Sequence, residues 1–247
     1  DHVQGDPFAA PSSLHVELPL AKAGFPEKYF EGRHTKTALE DLILRKFSRA
    51  LDQYSFKAKG SGKSGLISTS RPGPEVMRRT AVEFTEKLLI VRFEVGFPAN
   101  GRTINAQELE KILLDFLPQI VKKCLYYQAW DKRLVQEGFE LAENQQKIRE
   151  VLEERKLVAF CANGSILPRK SGVSSQPLKD AVAFESPKSM ELAIDLPFGG
   201  SIFGMGIPEG VTLIIGGGYH GKSTLLQALE QGVYNHVKGD GREYVIT

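Results

Sequence analysis

The chain has 247 residues, of which 41% are hydrophobic and 25% are charged, and its formal net charge is +2. This length allows one large domain or two ordinary ones, the composition excludes a disordered chain, and the small net charge confines any nucleic-acid surface to a local patch. The two cysteines exclude a disulfide scaffold and a four-cysteine zinc site, and no apolar run is long enough to span a bilayer. We expect Cys124 and Cys161 to fill core, and we expect no membrane association.

The first predicted elements are a strand and a helix. Residues 14–20 alternate between apolar and polar side chains, which predicts a short strand. Apolar residues at helical spacing predict an amphipathic helix over 37–52. Thr35 or Thr37 is the expected N-terminal cap of that helix.

A basic, glycine-rich segment follows at 57–79. It carries one acid, Glu75, against six basic residues, namely Lys57, Lys59, Lys63, Arg71, Arg78 and Arg79. Glycines in such a loop permit close approach of the backbone to phosphate groups, so the segment is a candidate contact for single-stranded nucleic acid. It lacks interleaved aromatic residues for base stacking, and a solvated basic loop is the alternative.

The middle of the chain combines a hairpin with two helical segments. Residues 81–84 and 88–95 predict a β-hairpin. Asn105 with Glu108 three residues later predicts the start of a helix, which Pro118 should kink or break.

Beyond these segments we expect a second domain. A helix is predicted over 132–155, a buried strand over 157–161 and an alternating strand over 190–196. The loop-like stretch 163–187, punctuated by proline, glycine and serine, is the expected domain boundary.

The most specific signature is a phosphate-binding pattern. The match to G-x-x-x-x-G-K-[ST] is complete and rests on Gly216, Gly221, Lys222 and Ser223. The apolar run 211–215 predicts a buried parallel strand before the loop, and leucines at helical spacing predict a helix after it. A glycine-rich turn without a ligand is the alternative, and both flanks argue against it. An earlier Gly-Lys-Ser at 62–64 lacks the first glycine and predicts no second nucleotide site.

Each residue type in this loop has a chemical reason. Glycines let successive N–H groups form a concave anion site, and the following helix adds partial positive charge. Lys222 is the expected catalytic contact to the β- and γ-phosphates, Ser223 the expected Mg²⁺ ligand, and Thr224 a donor on the α-phosphate side. The predicted nucleotide contacts are Gly216, Gly217, Gly218, Tyr219, His220, Gly221, Lys222, Ser223 and Thr224.

Several stretches together resemble one family. They read GMGIPEGVTLIIGGGYHGKSTLLQAL at 204–229, GVYNH at 232–236, GDGRE at 239–243, DHVQGDPFAAPS at 1–12 and ANGSILP at 162–168. These stretches resemble the predicted ABC-class ATPases, a family distinct from the transporter subunits. The likeness extends along the chain from end to end. A member of that family is a component of trypanosomatid mitochondrial RNA editing, so the resemblance favours an RNA partner and a cytoplasmic or mitochondrial-matrix location.

The resemblance also implies a dimeric catalytic arrangement. ABC ATPases hydrolyse ATP at a head-to-tail dimer interface, which uses a Walker-B acid and a signature segment besides the phosphate loop. Neither segment is present here and the chain looks incomplete at both ends, so we expect poor hydrolysis by this chain alone. Phe198 and Phe203 match the place where such proteins stack an aromatic ring on adenine, and core or turn roles are the alternative.

The predicted fold is α/β in two parts. Residues 1–187 form an α+β N-terminal domain that serves nucleic-acid binding or assembly, and residues 188–247 form the first part of an ABC-type P-loop domain whose complete sheet is mostly parallel. The predicted function is ATP- and Mg²⁺-dependent ATPase action coupled to an RNA or protein partner, with a homodimer formed through the ATPase part. A non-enzymatic RNA-binding module with an incomplete or vestigial ATPase half is the alternative, and so is a scaffold for protein assembly.

Overall fold

A computed structural model describes residues 2–247. Its α-helices are α1 (Leu20–Ala23), α2 (Arg33–Asp52), α3 (Ala106–Glu110), α4 (Leu117–Cys124), α5 (Lys132–Glu154) and α6 (Lys222–Gln231). Its strands are β1 (Ser12–Pro19), β2 (Ile67–Ser68), β3 (Glu75–Val76), β4 (Val82–Phe84), β5 (Leu88–Val95), β6 (Ala99–Asn100), β7 (Thr103–Ile104), β8 (Leu157–Ala162), β9 (Glu191–Leu196), β10 (Gly200–Pro208), β11 (Asn235–His236) and β12 (Val245–Ile246).

The chain divides into two compact units. The first contains residues up to 72 together with 78–135, and the second contains 73–77 together with 136–247. The division therefore lies at another position than the expected boundary at 187/188. The reason is long-range pairing, because β8 lies before that boundary and yet pairs with β10 behind it. Mixed helix and strand content confirms the α/β fold class.

The first unit is built on an antiparallel sheet centred on β5. Strand β1 pairs along the whole of β5 on one side, from Ser12 opposite Val95 to Pro19 opposite Leu88. Strands β2 and β4 share its other side, and β4 with β5 is the predicted hairpin, which is confirmed. Helix α2 packs on β2 and β4 with its buried apolar stripe, and the rings of Phe47 and Phe93 lie 5.9 Å apart.

Helix α2 begins earlier than predicted, and its predicted caps are wrong. Its N-cap position is Gly32, which has no capping side chain. The hydroxyl of Thr35 instead donates to the Gly32 carbonyl at 3.0 Å, and that of Thr37 donates to the Arg33 carbonyl at 2.9 Å. Both threonines are thus inside the helix and bond backward to carbonyls rather than accepting from its first N–H groups.

The helical segment from α3 to α4 confirms the predicted cap and the predicted disturbance. The Asn105 side chain accepts from the N–H of Glu108 at 3.3 Å. Residues 111–116 between the two helices form a π-helical stretch, and Pro118 lies at the start of α4. Proline has no N–H to donate and clashes with the carbonyl four residues earlier, so the backbone widens ahead of it.

The second unit contains an antiparallel sheet in the order β12-β8-β10-β9. Apolar residues of α5 pack on one set of its side chains, where Ile148 and Leu152 join Phe160 and Ile194 in a buried cluster. A second cluster, which includes Met205 and Ala228, joins the sheet to α6. All strand pairs formed by residues 2–247 are antiparallel, whereas a mostly parallel sheet is expected for the complete P-loop part.

The predicted buried strand over 211–215 is wrong. This segment forms no strand, and the relative exposure of Val211, Leu213 and Ile215 is 102%, 81% and 79%. A parallel strand becomes buried only when neighbouring strands pair with its backbone. Within residues 2–247 no strand pairs with this segment, so its apolar side chains remain exposed.

The two cysteines are core residues, as predicted. Cys124 and Cys161 are fully buried and lie in different units. Burial raises the pKa of the Cys124 thiol to about 11 and that of Cys161 to about 12. Both are therefore protonated at neutral pH and weakly nucleophilic. In the part of the chain that the structure describes, no helix is both long and apolar enough to cross a bilayer.

Candidate phosphate-binding site

The glycine-rich loop before α6 adopts a backbone that few side chains allow. Gly216 has φ +154°, and Gly221, which occupies the N-cap of α6, has φ +79°. Tyr219 between them has φ +61°, an uncommon conformation for a residue with a side chain. The turn therefore requires glycine at Gly221 and stores some strain at Tyr219.

The loop presents backbone donors without protein acceptors. In α6 the first backbone bond runs from the N–H of Leu225 to the carbonyl of Gly221, so the N–H groups of residues 222–224 precede the helical ladder. Within residues 2–247 the N–H groups of Gly217, Gly218 and Tyr219 also make no hydrogen bond. Such a series of N–H groups at a helix N-terminus is suited to an anion.

The two side chains of the signature lie at this helix start. The ammonium group of Lys222 donates to the carbonyl of Gly217 and so folds back over the loop. Ser223 is exposed, and a Cβ built on Gly218 or Gly221 would meet open space. The donor set, one ammonium, one hydroxyl and several N–H groups, fits a phosphate chain with a divalent cation. The bond from Lys222 to a neutral carbonyl is weaker than one to a charged phosphate.

Helix α6 is anchored below the loop. Ala228 is buried, and Leu225 and Leu229 pack beside it against Met205 and Val245. The confirmed helical spacing of the leucines thus attaches the helix to the sheet of the second unit. Leu226 of the same helix is 63% exposed.

A buried polar cluster, which sequence reasoning missed, holds the chain after α6. His236 Nδ1 lies 2.7 Å from Asp240 Oδ2, and its Nε2 lies 3.3 Å from the carbonyl of Gln231 at the end of α6. Arg169 donates to the same carboxylate at 2.8 Å. Burial acts to raise the pKa of Asp240, but the hydrogen bond from His236 and the charge of Arg169 outweigh it and hold that pKa below its usual value.

A second missed residue is Arg149 of α5. Its guanidinium donates to the carbonyls of Gly232, Val233 and Thr247 and to the Asn235 side chain, at 2.8–3.3 Å. Burial lowers the pKa of this group. The sequence around Arg149 and around the cluster of His236 and Asp240 shows only charged and polar residues in a short segment. Such a pattern is equally typical of a solvated loop.

The structure also gives the surroundings of three further predicted residues of the second unit, Phe198, Phe203 and His220. The Phe198 ring packs on Phe139 at 6.0 Å, which supports the alternative of a packing role. Phe203 is 54% exposed on β10. The His220 ring lies over Gly217, since a Cβ built there would come within 3.2 Å of it.

The lysines and the arginines of the basic segment differ in whether they form ion pairs. Lys57, Lys59 and Lys63 are exposed, and none of them forms an ion pair within residues 2–247. Each arginine has a carboxylate partner: Arg71 has Asp52 at 2.6 Å, Arg78 has Glu83 at 3.7 Å, and Arg79 has the buried Asp41 at 2.5 Å.

The glycines of this segment serve the protein's own packing. A Cβ on Gly60 would lie 2.7 Å from the Ala99 carbonyl, and one on Gly65 would lie 2.2 Å from the carbonyl of Ala58. Close approach of backbone to backbone therefore explains them, rather than the expected approach to phosphate.

The glycine-rich loop and the helix start behind it define the chain as a P-loop protein. Family comparison agrees, since a P-loop domain of ABC ATPases matches residues 131–247 and the N-terminal domain of ABC-class ATPases matches residues 1–128. The chain belongs to the ABC-class ATPase family.

The chain is also similar to an archaeal protein. The chain is 38% identical over 112 residues to the uncharacterized protein MJ1628 of Methanocaldococcus jannaschii. The match covers 42% of this chain and 25% of the archaeal protein. The matched part thus spans about a quarter of that relative's length.

Proposed function

We propose that the loop 216–224 binds the phosphate chain of ATP with Mg²⁺, as the nucleotide site of an ATPase. Backbone N–H groups of Gly217 to Tyr219 and of the first turn of α6 would hold the phosphate oxygens. Lys222 would exchange its bond to the Gly217 carbonyl for the β- and γ-phosphates, and Ser223 would place its hydroxyl on the metal ion. Thr224 would donate on the α-phosphate side.

The observation that carries this proposal is the set of backbone donors without acceptors at Gly217–Tyr219, directly before a helix that begins with Lys222. Donors in this arrangement lose little solvation when an anion binds and gain the field of the helix. Because the chain belongs to the ABC-class ATPase family, the expected anion is the phosphate chain of ATP. Phe203, which is exposed on β10, is a candidate partner for adenine.

The test is Lys222→Ala in equilibrium binding of labelled ATP with Mg²⁺. Because the ammonium group bonds to the loop itself, at the Gly217 carbonyl, we expect the variant to fold normally and to bind ATP at least about tenfold more weakly. Lys188→Ala, an exposed lysine of the same unit, is the matched control and should bind as the parent does. Equal affinities for the Lys222 variant and the parent would remove the site.

We further propose that nucleotide binding is coupled to an RNA partner and to a homodimer formed through the ATPase part. Three exposed lysines without ion pairs, Lys57, Lys59 and Lys63, support a phosphate-contacting surface. Arg71 and Arg78 would join it by exchanging their partners, the exposed Asp52 and the half-buried Glu83, for phosphate. The homodimer rests on the family, whose ATPases hydrolyse ATP at a head-to-tail dimer interface between the phosphate loop of one protomer and the signature segment of the other. A protein partner instead of RNA would leave nucleic-acid binding undetectable.

A further inference from the structure

A cavity of about 530 Å³ lies in the first unit, and thus in a different unit from the phosphate loop. Residues of α1 and the turn after it line one part. Two tyrosines, an amide and a lysine line the rest, so the full lining is Ala21, Lys22, Ala23, Gly24, Tyr126, Tyr127, Gln128 and Lys132. This volume is in the range of small-molecule sites, and no acidic residue of the described chain belongs to the lining.

The aromatic wall of this cavity is held in place by surrounding contacts. The Tyr127 ring lies 5.4 Å from that of Phe25 and 6.2 Å from that of Tyr29. The Lys46 ammonium donates to the carbonyl of Ala129 at 2.8 Å and so fixes the turn that carries the tyrosines. Because these side chains are held in place before binding, less conformational entropy is lost when a ligand binds.

The cavity also has a positive rim. Neither Lys22 nor Lys132 forms an ion pair with any residue in the range 2–247. The Lys132 ammonium lies 5.9 Å from the centre of the Tyr127 ring, and that of Lys28 lies 4.7 Å from the Tyr29 ring. Burial and the hydrogen bond with Tyr29 raise the pKa of Tyr127, so its hydroxyl stays neutral and adds no negative charge.

We propose that this cavity is a second binding site, for a nucleotide with a single phosphate, either free or as a residue of single-stranded RNA. The base would stack on the face of Tyr126 or Tyr127, the Gln128 amide would bond its edge, and Lys22 with Lys132 would hold the phosphate. Every base can stack on a tyrosine ring, so any preference among the bases comes from the contact with the Gln128 amide. The site is independent of the phosphate loop.

The test uses the full chain carrying Lys222→Ala, which separates this site from the proposed ATP site. Binding of adenosine 5′-monophosphate, uridine 5′-monophosphate, the two nucleosides and a ten-residue oligouridylate is measured by titration calorimetry. Fluorescence of the single tryptophan reports on the same site, because Trp130 lies 6.3 Å from Phe25 behind the tyrosine wall. Variants are Lys22→Ala with Lys132→Ala, Tyr126→Leu, and Lys87→Ala as an exposed lysine control.

We expect the double lysine variant to weaken nucleotide binding about tenfold or more without affecting nucleosides, and Tyr126→Leu to weaken both. Oligouridylate binding far more tightly than the monophosphates would identify RNA as the source, and equal affinity would identify the free nucleotide. Absence of monophosphate and oligonucleotide binding at millimolar concentration would overturn the proposal. So would affinities of the folded cavity variants equal to those of the Lys87→Ala control.

Discussion

At the scale of single residues, burial decides what an ion pair contributes. Helix α2 carries two aspartates that each pair with an arginine at 2.5–2.6 Å. The Asp41 side chain is 2% exposed and accepts from both Arg45 and Arg79. The Asp52 side chain is 48% exposed and faces the exposed Arg71. Water screens the second pair. Removing the carboxylate of Asp41 instead leaves two mostly buried guanidinium groups without that partner.

We therefore predict that Asp41→Ala lowers the free energy of unfolding of the first unit by about 3 kcal/mol or more. Asp52→Ala, with the same helix and the same kind of partner, should cost about 0–1 kcal/mol. Denaturant unfolding followed by Trp130 fluorescence reports on this unit. Similar losses in the two variants would show that the burial argument does not hold here.

At the scale of elements, polar contacts hold the segment that follows α6 against the end of that helix. The helix carries the phosphate loop at its start, and its last carbonyl faces His236. Asp240 joins that histidine to Arg169 from a position that is 2% exposed. Since the pKa of Asp240 is lower in the folded chain than its ordinary 3.8, the charged carboxylate stabilises the fold above that pH. The contribution is lost as pH falls below about 4 and through the folded pKa.

We predict that Asp240→Asn opens the segment 235–246 at pH 7, with protection against amide hydrogen exchange lowered by about 2 kcal/mol or more. At pH 3 the difference between variant and parent should narrow, because the parent carboxylate becomes protonated. Asp195→Asn, an exposed aspartate that accepts from Ser201, is the control and should change protection little. A difference that is the same at both pH values would contradict a role for the carboxylate charge.

At the scale of the whole molecule, each of the two units carries a feature suited to phosphate groups. The first unit exposes three lysines on a glycine-containing loop, and the second carries the P-loop. Because charge on exposed lysines is screened by salt, a phosphate-contacting role has a characteristic dependence on ionic strength.

We predict that the triple change of Lys57, Lys59 and Lys63 to glutamate weakens binding of single-stranded RNA. It should also reduce the slope of log affinity against log salt by about 2 units. Changing Lys170, Lys179 and Lys188 of the second unit to glutamate alters net charge equally and should matter less. Fluorescence anisotropy across a salt series, with and without ATP and Mg²⁺, measures both. Equal slopes for the two triple variants would exclude the loop as an RNA contact.

The success of each prediction from sequence depended on how far apart in the chain the interacting residues lie. The hairpin at β4 and β5, the Asn105 cap, the disturbance before Pro118 and the helix after the phosphate loop arise from residues near one another in the chain, and all are confirmed. The strand over 211–215 failed because burial of a strand depends on partners elsewhere in the chain. The threonine caps failed because each hydroxyl can either accept from the helix start or donate backward, and spacing does not distinguish these.

The sequence by itself determined the family, the phosphate signature and the order of most elements, because these are encoded in contiguous residues. Only the tertiary structure decided which charges are free. It paired Arg79 with an aspartate 38 positions away, and it joined Arg169 to Asp240 across 71 positions. It also brought Lys22 and Lys132 to one cavity. Contacts over such separations depend on how the sheets and helices pack, and no local pattern of residue types records them.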